Sequence, residues 1–166
     1  MKMIRRFGYA ALAAFALTAC NEPAEPDAVT QQLDALRSAT KVFESFEAAK
    51  AAGYDVKITD CMADAQGAMG FHYGKGALID GTVSALAPEV VMYEPSANGQ
   101  MRLVGVEYVV PFTAWTAPTA PTLYGESFQR NETFQVWALH AWIWKDNPRG
   151  TFASWNPSVS CTTGQG

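Results

Sequence analysis

From Val29 onward the apolar residues recur at the spacing of an α-helix. Val29, Leu33, Leu36, Phe43 and Phe46 stand four, three, seven and three residues apart, which puts them on one stripe of a helix with 3.6 residues per turn. Gly53 closes the run at a position where helices commonly stop. Beyond Gly53 the period changes to two, and β-branched and aromatic residues take over. This predicts strands over 54–60, 69–73, 89–94, 102–110 and 133–144. One N-terminal amphipathic helix followed by antiparallel strands is an α+β pattern, with the helix packed on the sheet in a single domain over residues 29–166.

The segment EVVMYEPSANGQMRLVGVEYVV carries the strongest pairing signal. Asn98-Gly99 is a two-residue hairpin turn. With Ala97 opposite Gln100, the register places Tyr93 opposite Val104, Met92 opposite Gly105, Val91 opposite Val106 and Val90 opposite Glu107. One face then carries Val91, Tyr93, Val104, Val106 and Tyr108, and the other Met92, Glu94, Gly105 and Glu107. A one-residue slip would invert the faces of one strand and spoil the match.

That second face raises a chemical question, because Glu107 sits in the middle of an apolar strand. It is either a solvent-facing residue on a half-exposed sheet or a ligand or general base in a cleft. Glu94 shares its face at about 13 Å, counted at ~3.4 Å per residue, too far for a glycosidase-type carboxylate pair. The chain has two histidines, both in aromatic strands: His72 in GAMGFHYG and His140 in WALHAWIW. Period two puts His72 on a face with Gly70 and Gly74, leaving room for something to approach. It puts His140 with Trp142 and Trp144, against Trp137, Leu139 and Ile143 on the other side. Alone, each histidine reads as a hydrogen-bonded core or surface imidazole. Two histidines and a carboxylate are also a ligand set of non-haem iron and of several zinc sites, so His72, Glu107 and His140 are the candidate metal ligands. No HxH, HxxxH or HExxH spacing supports the set. Coordination needs neutral imidazoles, which predicts binding that weakens as pH falls through the histidine range. Other readings are a tryptophan-lined stacking cleft, against packing on two sides of a strand, and haem held by His72 with Met69 or His140, without a CxxCH. The Pro-rich connection of about twenty residues after Pro111 joins the Glu107 and His140 strands and is placed to act as a lid.

The N-terminus changes the setting of this domain. Lys2, Arg5 and Arg6 precede an uncharged apolar run from Phe7 to Ala19, the layout of a secretory signal and too short to span a bilayer. It ends in Leu17-Thr18-Ala19-Cys20, which resembles the lipobox of bacterial lipoproteins. The resemblance implies cleavage of the signal peptide over residues 1–19, a diacylglycerol on the Cys20 thiol, and fatty acylation, palmitate for example, of the new amine. Two or three acyl chains anchor stably where one does not. Asn21 after the cysteine resembles the pattern that sends such proteins to the outer membrane and not the inner one. The expected location is the cell envelope, with the chain facing the periplasm. Residues 20–28 then form an acidic, Pro-containing tether. With Cys20 assigned to lipid, Cys61 and Cys161 remain as a pair in an oxidising compartment and predict a disulfide. The alternative, two metal-binding thiolates, lacks a CxxC neighbour.

The chain from Cys20 on holds 147 residues, enough for one core. It keeps nine cations against sixteen carboxylates, a net charge of −7, which argues against nucleic acid as a partner. The segments AAGY, GAMGFHY, PEVVMYEP, LVGVEYVVP, LHAWIWKDNPRG and SWNPSVSC together resemble a family of secreted or lipid-anchored bacterial proteins. The resemblance implies that the histidine segments belong to one domain and brings no activity with it. The reading is an extracytoplasmic lipoprotein binding a metal, such as a divalent transition metal, or a small ligand in a His/Glu/aromatic cleft. The alternatives are an envelope scaffold or interaction module with structural histidines, and a metal-dependent oxygenase or hydrolase, which needs an open coordination position.

Overall fold

The computed structural model describes residues 27–163. The expected signal peptide, Cys20 and most of the expected tether lie outside the described residues. The chain is a mixed structure of helix and antiparallel sheet, in the order α1 (Ala28–Thr40), α2 (Phe46–Ala51), β1 (Val56–Asp64), β2 (Gly67–Gly74), β3 (Val90–Pro95), β4 (Met101–Pro111), β5 (Thr122–Leu123), β6 (Glu126–Ser127), β7 (Gln129–Asn131) and β8 (Val136–Ala141). Six strands form one sheet in the order β1-β2-β3-β4-β8-β7, and β5 and β6 form a small hairpin.

The expected single helix is two. Asp27 caps α1 by accepting from Thr30 N at 2.8 Å, an end that leaves fewer orphan amides. A single 3-10 turn follows over Lys41–Glu44, and then Ser45 takes extended backbone and accepts from Ala48 N to start α2. Breaking the helix there lets both flanking phenylalanines reach the sheet side: Phe43 meets Tyr54 edge-on, and Phe46 meets Tyr73 and Tyr93. Leu36 and Ala49 are buried in one cluster with Val91, Tyr93, Val106 and Tyr108. Polar ties cross the same boundary, with Tyr93 donating to Phe43 O, Arg37 Nε to Ile143 O and Trp144 Nε1 to Thr40 Oγ1.

The β3–β4 hairpin keeps the expected register in one half and departs from it in the other. Val90 pairs with Glu107, Val91 with Val106 and Met92 with Gly105, but Tyr93 pairs with Leu103 and Glu94 with Arg102. The loop has three residues: Ser96 N–H donates to Gln100 O, Gly99 N–H donates to Ser96 O, and Gly99 takes φ 79°. This is a longer turn closed by a left-handed glycine. It shifts the register by one residue near the turn, and a bulge between Met92 and Tyr93 shifts it back. The bulge moves Val104 off the Tyr93 face. Val104 packs with Met92 and Trp142 instead, and Leu103 takes the place beside Tyr93.

At β8 the expected alternation ends early. The strand stops at Ala141, so Trp144 leaves the His140 face and packs with Leu139 and Ile143. The C-terminal segment returns over the opposite face, where Val159 is buried against Met92, Val104 and Trp142. The expected disulfide is present: Cys61 of β1 joins Cys161 across 100 residues with Cα atoms 5.5 Å apart, stapling that segment to the edge strand.

Candidate functional site

The three candidate ligands stand on three strands of the six-stranded sheet, His72 on β2, Glu107 on β4 and His140 on β8. Glu107 and His140 are direct cross-strand partners, while His72 lies across β3, which carries Val90 and Met92 between them. The sheet nonetheless brings the three together. Glu107 Oε2 is 3.7 Å from His72 Nε2, and Glu107 Oε1 is 3.6 Å from His140 Nε2. One ligand atom from each residue lies within 4.8 Å of the others. All three residues are buried, with relative exposures of 3% for His72, 8% for Glu107 and 7% for His140.

The two imidazoles are oriented by different means. His72 Nδ1 is hydrogen-bonded to Thr59 Oγ1 at 2.8 Å, which turns its Nε2 inward. His140 stacks on Trp142, rings 5.9 Å apart and 11° from parallel. The imidazole planes stand nearly perpendicular to each other. At 3.6 Å and beyond, neither contact to Glu107 is a hydrogen bond. His140 Nε2 is therefore a buried polar atom with no partner, a rare condition that costs stability unless something outside the chain relieves it.

Burial sets the protonation of the cluster. Desolvation pushes Glu107 up to about 8, helped by the nearby charge of Glu89. It also pulls His72 down to about 4, and His140 to about 3 with a further contribution from His72. Burial thus favours the neutral form of all three groups in the metal-free cluster, raising the carboxyl and lowering both imidazoles. It moves the imidazoles below the histidine range and leaves Glu107 as the group whose proton competes with a cation, so binding is still expected to weaken as pH falls.

The donor set fits a transition metal. Ligand bonds of about 2.0–2.2 Å place donors roughly 3 to 3.5 Å apart, close to the separations found around Glu107. Thr59 supplies the outer hydrogen bond that usually fixes a ligating imidazole. Haem does not fit, because Glu107 stands between the two imidazoles where a porphyrin plane would pass.

Above the cluster opens a cavity of about 240 Å³, walled by Ile58, Met62, Met69, Ile79, Val109 and Phe134, with Asn131 also at its edge. No periodicity in the sequence points to Thr59 or Asn131, since each enters only through strand pairing. None of the five tryptophans lines this cavity, so the expected stacking cleft is absent there. Trp142 supports His140 from the side, its indole donating to Ala153 O, and Trp137 packs against Phe112. The glycines beside His72 also serve another purpose. A Cβ on Gly70 would fall 2.5 Å from Tyr93 O, and one on Gly74 2.5 Å from Ile58 Cδ1, so they admit the protein's own neighbours and not a ligand. Glu94 is remote from the cluster, buried in ion pairs with Arg102 and Lys145 and accepting from Ser160 N. Of the connection expected to form a lid, only residues 122–131 fold into the β5–β6 hairpin and β7, and Asn131 near its end reaches the cavity. No protein-family model, no curated protein and no solved structure matches the chain.

Proposed function

We propose that this is an extracytoplasmic protein, anchored through lipid on Cys20 and facing the periplasm, that holds a divalent transition metal between His72 Nε2, the Glu107 carboxylate and His140 Nε2. In this reading residues 29–166 form one α+β domain whose helices lie over the face of the sheet opposite the metal. The carrying observation is the buried, unpartnered Nε2 of His140, aimed at Glu107 beside a second imidazole. A cation there would relieve the orphan nitrogen, draw the proton from Glu107 and keep open positions toward the cavity.

A structural role for the histidines draws support from the Thr59 bond to His72 and the Trp142 stack on His140, but it leaves His140 Nε2 unsatisfied. A metal-dependent oxygenase or hydrolase is the same site with a reactant at the open positions, favoured by the cavity that adjoins them. Elemental analysis and zinc titration of protein purified without a histidine tag test the proposal. One metal per chain, lost in His72→Ala and His140→Ala, is the expected result. Protein that carries no metal, and that Zn²⁺, Cu²⁺ and Fe²⁺ all fail to stabilise, refutes it.

A further inference from the structure

The cavity has a chemistry of its own, apart from any ion beneath it. Its volume of about 240 Å³ exceeds the ~150 Å³ in which an apolar cavity accepts benzene and falls short of the ~300 Å³ where drug-sized pockets begin. That is room for one ring and a small substituent. Its walls combine two thioethers, Met62 and Met69, with the Phe134 ring, and both groups make favourable contacts with aromatic rings. No Lys or Arg is among the residues that line it, so burying a negative head there carries a desolvation cost that no cation in the lining offsets. At its floor is the unpartnered Nε2 of His140, nine-tenths buried. A hydroxyl satisfies that nitrogen in either tautomer, because it can both donate and accept. The mouth is open on the side of Ile58 and Phe134, which are 36% and 45% exposed.

We infer that this cavity binds a small uncharged molecule made of one aromatic ring and one hydroxyl-bearing arm, with the ring among Met62, Met69 and Phe134 and the hydroxyl on His140 Nε2. The site is the one proposed for the metal, but the inference does not need the ion, since the imidazole nitrogen is without a partner in the metal-free chain.

The test uses the mature chain in lipid nanodiscs, stripped of metal with chelator, with empty nanodiscs subtracted. Benzyl alcohol, toluene, benzoate and glucose are titrated by calorimetry and saturation-transfer NMR. Benzyl alcohol should bind saturably and about tenfold more tightly than toluene. That preference should vanish in His140→Phe, which cannot meet the hydroxyl. Phe134→Ser, at a position 45% exposed, should weaken benzyl alcohol and toluene alike by about fivefold while leaving the melting temperature within a few degrees of wild type. The inference is overturned if benzyl alcohol does not saturate, if benzoate or glucose binds as tightly, or if the preference over toluene survives in His140→Phe. Zinc uptake measured on the same preparations reports separately on the metal, so either reading can fail while the other stands.

Discussion

His140→Phe separates a functional imidazole from a structural one by the sign of its effect. In the metal-free chain His140 is neutral near pH 7, because burial holds it down to about 3, and its Nε2 is buried without a partner. Phenylalanine keeps the flat ring that stacks 5.9 Å from Trp142 and removes the unsatisfied nitrogen. Such an atom costs about 1–3 kcal/mol, and a domain of this size shifts by roughly 4 °C per kcal/mol. The chelated variant should therefore melt about 4 to 12 °C above chelated wild type while losing zinc binding. Differential scanning calorimetry in chelator, paired with a zinc titration, measures both. A residue kept for a task commonly costs stability in this way. A variant melting several degrees below metal-free wild type would refute the reasoning, since it would mean that the nitrogen has a partner whose loss is felt.

Proton competition makes zinc affinity rise about tenfold per pH unit from pH 6 toward 8, as Glu107, raised to about 8, gives up its proton; calorimetry across that range checks the slope. In the metal-free chain the contribution of protonated Glu107 is complete below its ordinary 4.5 and lost as pH rises through about 8, with Glu89 behaving alike near 7. The lowered histidines act oppositely, contributing above their ordinary 6.5 and losing it as pH falls toward 4 and 3. Metal-free stability, followed by urea denaturation, should thus decline between pH 6.5 and 8. Gly105→Ala should destabilise by about 1–3 kcal/mol in the same assay, because its Cβ would meet Ala141 O and Met92 Cε at 2.8 Å each, and an unchanged midpoint would count against that packing. Replacing Cys61 and Cys161 together by serine should cost about 2–4 kcal/mol and free the C-terminal segment from Trp142, seen as faster hydrogen exchange at Val159. Cys20→Ser should abolish fatty-acid labelling of the chain, and label retained in the variant would remove the lipid anchor from the proposal.

Much of the backbone is local, and what is local can be read along the chain. The four-three spacing from Val29 marks the helical region, the period-two runs mark the sheet, and the alternation around Val91 and Val106 fixes half of the β3–β4 register without any neighbour being known. Local reading fails where a distant contact decides. Ser45 divides the helix because capping α2 lets Phe43 and Phe46 both reach aromatic partners on the sheet side. Val104 changes face because a bulge compensates a longer turn. The leftover cysteines predict their own bridge, yet nothing in their spacing shows that it clamps the segment covering Trp142. The candidate site divides in the same way. His72, Glu107 and His140 stand out by residue type against apolar strands, but they come from β2, β4 and β8, and their meeting depends on the order and curvature of the sheet. Burial, the orphan nitrogen and the displaced protonation follow from that meeting, since desolvation belongs to the packed structure and not to any residue by itself.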